Sequence, residues 1–79
     1  MHKYEPLFKK LQSSVDSSVT MTFDEISSLV GELPASAYNH RAWWSNEENG
    51  QHVQAHSWMK AGFRVIQVEM SRTVTFEKA

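Results

Sequence analysis

Three tryptophans, Trp43, Trp44 and Trp58, stand within sixteen positions of a chain of 79 residues. A chain this short buries only about 60–65% of its unfolded surface, around a single thin core. Two indole rings in or around such a core would supply a large share of its apolar area. The tryptophans therefore either build the core or leave a large ring for a ligand or partner, and the sequence leaves both interpretations open.

The composition fits one small domain over residues 1–79 and limits its chemistry. The absence of cysteine excludes disulfides, thiolate zinc sites and a cysteine nucleophile. No apolar run is long enough for a signal peptide or a membrane span, which predicts a cytoplasmic protein without a membrane partner. The formal charge of −1 argues against a nonspecific binder of duplex DNA.

The small size also favours self-association. A thin core gains buried area when two copies associate, so we expect a homodimer or a higher homo-oligomer. The strand expected at residues 73–76 or the helix that carries Trp58 would form the seam.

Apolar spacing predicts two helices and a strand in the N-terminal half. The stripe from Tyr4 to Leu11 follows the i, i+3, i+4, i+7 spacing of an amphipathic helix. Residues 19–22 alternate as a short strand does. Thr22 and Glu25 match a capping box, which predicts that a second helix begins there.

The C-terminal half predicts a short helical turn, a helix and a hairpin. The turn covers residues 33–38, and the helix runs over 51–61. A strand over 63–70 loses its alternation between Val65 and Ile66, which indicates a β-bulge, and a second strand follows at 73–76. The whole pattern predicts an α+β fold, with about three helices packed on a small, mostly antiparallel β-sheet with a C-terminal hairpin.

The middle of the chain is locally cationic and aromatic, because the run from Leu33 to Val68 holds only two carboxylates, Glu47 and Glu48. Aromatic faces beside guanidinium and amide donors suit a nucleobase and a phosphate. On an extended segment, Arg41 and Trp43 would share one face, while adjacent tryptophans would point to opposite faces. The candidate ligand-binding residues are Ser36, His40, Arg41, Trp43, Trp44, Asn46, Gln51, His56, Trp58, Lys60 and Arg64.

Several of these residues have simpler interpretations. Arg41 could form a surface ion pair with Glu47 or Glu48, which would contribute little free energy. Ser36 and Asn46 are equally suited to be helix caps or turn residues.

The histidines His52 and His56 share a helical face at a spacing that can bind zinc. The metalloprotease motif requires glutamate directly after the first histidine, and Val53 stands there instead. The chain also lacks a glycine-rich phosphate loop and a nucleophile elbow. We therefore predict no metal, no cofactor and no catalytic residues, with an enzyme site at a dimer seam as the remaining enzymatic alternative.

Six segments of the chain match, in order, the pattern of a known domain family: Lys3–Leu7, Met21–Ile26, Leu33–Ala37, Arg41–Asn46, Trp58–Phe63 and Val74–Phe76. Through these segments, nearly the whole chain resembles a small uncharacterised bacterial and phage domain, found alone or beside nuclease-type domains. The resemblance implies a context of phage–host conflict or DNA handling, and it implies no particular activity.

Three functions fit these observations. The leading hypothesis is a non-enzymatic binding domain for a nucleotide-like ligand, a cyclic nucleotide included, with the base on Trp43 or Trp44 and the phosphate on Arg41. If the chain is phage-encoded and acts in the host cytoplasm, it could be a sponge that sequesters a host defence signal. The alternatives are a nucleic-acid module that reads single strands or flipped bases, and a protein-binding inhibitor of a host enzyme.

Overall fold

A computed structural model describes residues 2–47 and 52–79, and it has the predicted α+β fold with the C-terminal hairpin. The described part contains no helix long and apolar enough to cross a membrane. The elements in chain order are a 3-10 helix (His2–Tyr4), α1 (Glu5–Gln12), β1 (Ser18–Thr22), α2 (Phe23–Val30), α3 (Ala35–Asn39), a second 3-10 helix (Arg41–Trp44), α4 (Val53–Lys60), β2 (Phe63–Glu69) and β3 (Thr73–Lys78).

The start of α2 is set by the predicted capping box. The Thr22 hydroxyl accepts a hydrogen bond from the Glu25 backbone N–H at 3.0 Å, and the Glu25 carboxylate accepts one from the Thr22 N–H at 2.8 Å. Two of the N–H groups that a helix start leaves without partners are thus satisfied reciprocally. The helix ends at Gly31, whose φ of 87° lies in the region that glycine adopts without strain.

The sheet is antiparallel and has the order β1-β3-β2, so β3 is its central strand. The predicted bulge is confirmed, because the register of β2 shifts between Val65 and Gln67. The expectation that residues 73–76 form a dimer seam was wrong. Both edges of β3 are already hydrogen-bonded within the chain, so this strand has no free edge to offer to a second copy.

The core lies between one face of the sheet and the helices, where α1 packs against both α2 and α4. The opposite face of the sheet is mostly polar, because the residues that alternate with the buried ones are serine, threonine, glutamine and charged side chains. The exception is Ile66, at the bulge in β2, which is 50% exposed. The buried apolar residues are Leu7, Leu11, Met21, Phe23, Ile26, Val30, Leu33, Ala37, Trp44, Ala55, Trp58, Phe63, Val65, Val74 and Phe76.

Candidate functional site

The segment Arg41–Trp44 forms a 3-10 helix and not the extended run that we expected. Three residues complete one turn of such a helix, so side chains two positions apart point in different directions. The expectation that Arg41 and Trp43 share one face was therefore wrong. The tight turn carries the Trp44 ring into the core, where its indole nitrogen donates to the carbonyl of Ala37 at 2.9 Å.

The rings of Trp44 and Trp58 form the centre of the core, with no solvent-accessible surface on either residue. Their ring centroids lie 5.9 Å apart with near-parallel planes, and the centroids of Trp44 and Phe23 lie 5.3 Å apart in an edge-to-face arrangement. Neither ring presents a face on which a ligand could stack. Trp44 and Trp58 therefore build the core and do not form a binding surface for a ligand or a partner.

Trp43 is the tryptophan that keeps part of its surface. Its ring meets Trp44 edge-on at 4.6 Å and Tyr4 at 6.0 Å, and its backbone carbonyl accepts a 2.7 Å hydrogen bond from the Gln54 amide. Partial burial raises the pKa of the Tyr4 hydroxyl above its usual value of 10.0, because the phenolate would lose hydration there. A half-buried ring on a fixed backbone remains available at the surface.

Asn46 connects three parts of the fold through one amide. Its oxygen accepts from the Val65 backbone N–H at 2.8 Å and from the Trp58 indole N–H at 2.9 Å, while its nitrogen donates to the Val65 carbonyl at 2.9 Å. These bonds hold the segment after the second 3-10 helix against the edge of β2. Both polar atoms of the Asn46 side chain therefore have hydrogen-bond partners within the fold.

Arg41 and His40 are exposed, and Ser36 is half-buried in the first turn of α3. The predicted surface pair of Arg41 with Glu47 does not form, since the Glu47 carboxylate lies 3.9 Å from the His52 ring instead. Glu48, the other carboxylate predicted to pair with Arg41, lies outside the described residues. Within the described part of the chain, no ion pair or hydrogen bond engages the Arg41 guanidinium.

The remaining predicted residues that the structure describes lie on α4 and β2. Arg64 lies on the polar face of the sheet, opposite Glu77 of β3, and Lys60 is exposed at the end of α4. His56 is half-buried on α4 and has an interaction within the fold. Gln51 lies outside the described residues. The described residues of the predicted site thus fall into three sets: two are buried, four are exposed and four are half-buried. The buried ones are Trp44 and Trp58, the exposed ones are His40, Arg41, Lys60 and Arg64, and the half-buried ones are Ser36, Trp43, Asn46 and His56.

Two clefts flank the exposed side chain of Lys10, and neither is lined by a residue of the predicted site. Residues 2–47 and 52–79 hold no group of three or more histidine, aspartate and glutamate side chains that could bind a metal ion. The larger cleft, of about 480 Å³, runs beside β1 and is lined by Lys10, Ser13, Ser14, Val15, Asp16, Ser18, Val19 and Thr20.

Two residues outside the predicted site, Asn39 and Gln54, are prominent in the structure. Asn39 is exposed at the end of α3, directly before His40 and Arg41. Gln54 is buried and fixes the backbone of Trp43. A signal for Asn39 was present: Gly31 opens a four-residue turn between α2 and α3, which is the spacing of a helix-turn-helix.

A family model described as a domain of unknown function, DUF7662, matches residues 4–79. The chain belongs to this family. The match covers almost every element of the fold, from the end of the first 3-10 helix to β3. No curated protein and no solved structure matches the chain significantly.

Proposed function

We propose that this DUF7662 domain is a nucleic-acid-binding module whose contact surface is the exposed segment Asn39–Arg41. The single observation that carries the proposal is the connectivity of the fold together with the position of this segment in it.

Apart from the short 3-10 helices, the described elements follow the order helix, strand, helix, helix, helix, strand, strand, with β3 between β1 and β2. Except for the additional helix α4, this connectivity is that of winged-helix domains, in which a helix-turn-helix packs on a three-stranded sheet. In a helix-turn-helix, the second helix contacts base edges and the first crosses the backbone. A shared connectivity does not assign a function, which depends on the side chains at the surface.

The second helix of this motif is unusually short. It ends at Asn39, and the chain turns at His40, whose carbonyl accepts from the Trp43 N–H at 3.0 Å. The buried Trp44 ring anchors the next turn through its bond to the carbonyl of Ala37. A rigid core thus presents an exposed tip of three residues, and fixed presentation lowers the entropy cost of binding.

The tip carries the donors that nucleic acid requires. An asparagine amide pairs with adenine, and an arginine guanidinium pairs with guanine or with phosphate. No carboxylate of the described residues pairs with the Arg41 guanidinium, so none of these groups would compete with nucleic acid for it. The acidic residues Asp24 and Glu25 at the start of α2 weaken phosphate contacts there, so we expect few of them and a shallow salt dependence.

Fluorescence anisotropy with labelled duplex DNA, single-stranded DNA and RNA, between about 50 and 200 mM salt, tests this proposal. Arg41→Ala should weaken binding about tenfold, and Asn39→Ala should reduce discrimination between sequences. Lys9→Ala is the matched control, because it removes one positive charge from α1, where Lys9 pairs with Glu5 at 3.6 Å. Equal losses for Arg41→Ala and Lys9→Ala, or no binding at the lowest salt, would refute the proposal.

A second candidate function is the binding of a nucleotide-like ligand, and the partly exposed ring of Trp43 favours it. The base would stack on Trp43. Because Arg41 points away from Trp43 on the 3-10 helix, the phosphate would have to extend around the helix to meet the Arg41 guanidinium. If the chain is of phage origin, such a domain would sequester a host signal nucleotide. Calorimetry against mono-, di- and cyclic nucleotides tests this candidate: Trp43→Phe should weaken any binding, and no heat from the whole panel would eliminate it.

A further inference from the structure

The two edges of the sheet differ in how they are protected. Sheet edges expose unpaired N–H and C=O groups, and proteins protect them with charges, bulges or covering segments. The β2 edge has three protections: the bulge before Gln67, the charges of Arg64 and Glu69, and the Asn46 amide, which bonds to both outward groups of Val65.

The β1 edge has none of these protections. Its five residues, Ser18–Thr22, include no charged side chain and no proline, and its register with β3 is continuous. An unprotected edge strand is a template on which another strand can pair. The fold therefore leaves one edge open and closes the other.

Hydrogen bonds at both ends of β1 fix which of its backbone groups are free. The Lys78 N–H donates to the Ser17 carbonyl at 2.8 Å, and the Phe23 N–H donates to the Arg72 carbonyl at 3.0 Å. In an antiparallel pair, residues alternate between facing the partner strand and facing away from it. The odd-numbered residues from 17 to 23 therefore face β3, and positions 18, 20 and 22 direct their N–H and C=O groups to the free edge.

Ser18 and Thr20 each offer both groups at this edge, whereas the Thr22 N–H is already bonded to the Glu25 carboxylate. The cleft of about 480 Å³ runs alongside, and the side chain of Val15 at its rim is 92% exposed. The strand, the open cleft and an exposed apolar side chain thus lie together on one side of the domain.

We propose that β1 pairs antiparallel with β1 of a second copy of the chain, across a two-fold axis at Val19. Ser18 of one copy then faces Thr20 of the other, and these two pairs form four backbone hydrogen bonds that use every free group of both residues. The two Val19 side chains meet at the axis as a non-hydrogen-bonded pair, where side chains lie closest. Two three-stranded sheets become one continuous six-stranded sheet.

The features of this edge favour a second copy over an unrelated peptide. A two-fold interface requires a self-complementary patch. The β1 edge meets this requirement, because pairing it with itself gives every backbone N–H and C=O of Ser18 and Thr20 a partner. The cleft carries one lysine and one aspartate, Lys10 and Asp16, so two copies meet without net repulsion. The paired strands are short, so we expect a weak dimer with a Kd in the micromolar range.

Sedimentation equilibrium up to about 1 mM protein tests the pairing. Ser18→Pro removes an N–H that faces the free edge, and it leaves the bonds to β3 in place, because a proline is tolerated at the first residue of a strand. It should raise the Kd about tenfold or more, since two of the four interchain bonds are lost. Circular dichroism checks that the variant keeps its fold.

A second pair of variants separates interface effects from folding effects. Val15→Asp places a charge on the nearly fully exposed side chain beside β1 and should also raise the Kd. Val53→Asp makes the same change at an exposed site on α4 and should leave the Kd unchanged. A monomer at every concentration overturns the proposal, as does a dimer that Ser18→Pro and Val15→Asp leave intact.

Discussion

Replacing Asn46 by alanine should destabilise the domain far more than its partly exposed position suggests. The Trp58 indole N–H would remain in a fully buried environment without its acceptor, at a cost of about 1–3 kcal/mol. The N–H and C=O of Val65 would also lose their partner, and because they lie at the sheet edge, water replaces it in part. We expect a loss of about 2–4 kcal/mol in the free energy of unfolding.

This loss is large for a domain of this size, since a chain of 79 residues has a total stability of about 4–12 kcal/mol. Urea unfolding followed by far-ultraviolet circular dichroism measures it, with an unchanged m-value as the check for two-state behaviour. Asn39→Ala is the matched control, because the Asn39 side chain is exposed at the end of α3; its effect should stay within about 0.5 kcal/mol. Equal stabilities for Asn46→Ala and Asn39→Ala would refute the reasoning.

Asn46→Asp separates the donor role of the amide from its acceptor role. A carboxylate can still accept from Val65 and Trp58, but it repels the Val65 carbonyl that the amide nitrogen now bonds. The loss in the free energy of unfolding for Asn46→Asp, measured in urea at neutral pH, therefore reports the donor role, whereas the loss for Asn46→Ala reports both roles together.

Two further predictions concern the N-terminal region. Lys3→Met should lower the free energy of unfolding by about 1–2 kcal/mol in urea titrations, because the Lys3 ammonium donates to the last carbonyls around α2, those of Val30 at 3.1 Å and Glu32 at 2.9 Å. Lys9→Met, which breaks only an exposed ion pair, should cost about 0.5 kcal/mol or less, and a similar loss from both would contradict the capping role. For Tyr4, the pKa is raised in the folded state, so its contribution to stability is present below about pH 10 and is lost as the pH rises further. Thermal melts between about pH 8 and 11 should show a smaller alkaline loss in Tyr4→Phe, and identical pH profiles would count against this interpretation.

Local signals in the sequence determined several elements of this domain. The reciprocal bonds of Thr22 and Glu25 link residues three positions apart, so the start of α2 could be predicted from their spacing alone. The interrupted alternation at Val65 likewise predicted the bulge in β2. Such features are predictable because the interacting atoms are neighbours along the chain.

The roles of the predicted site residues were decided by contacts between distant parts of the chain. Trp44 is core because its indole bonds to Ala37 and stacks on Trp58, and Asn46 is structural because β2 passes beside it. A sequence pattern shows that a tryptophan or an amide is present, but burial depends on which segments pack around it. The same holds for the sheet order, because β1 and β3 lie at opposite ends of the chain and only their pairing leaves the β1 edge free.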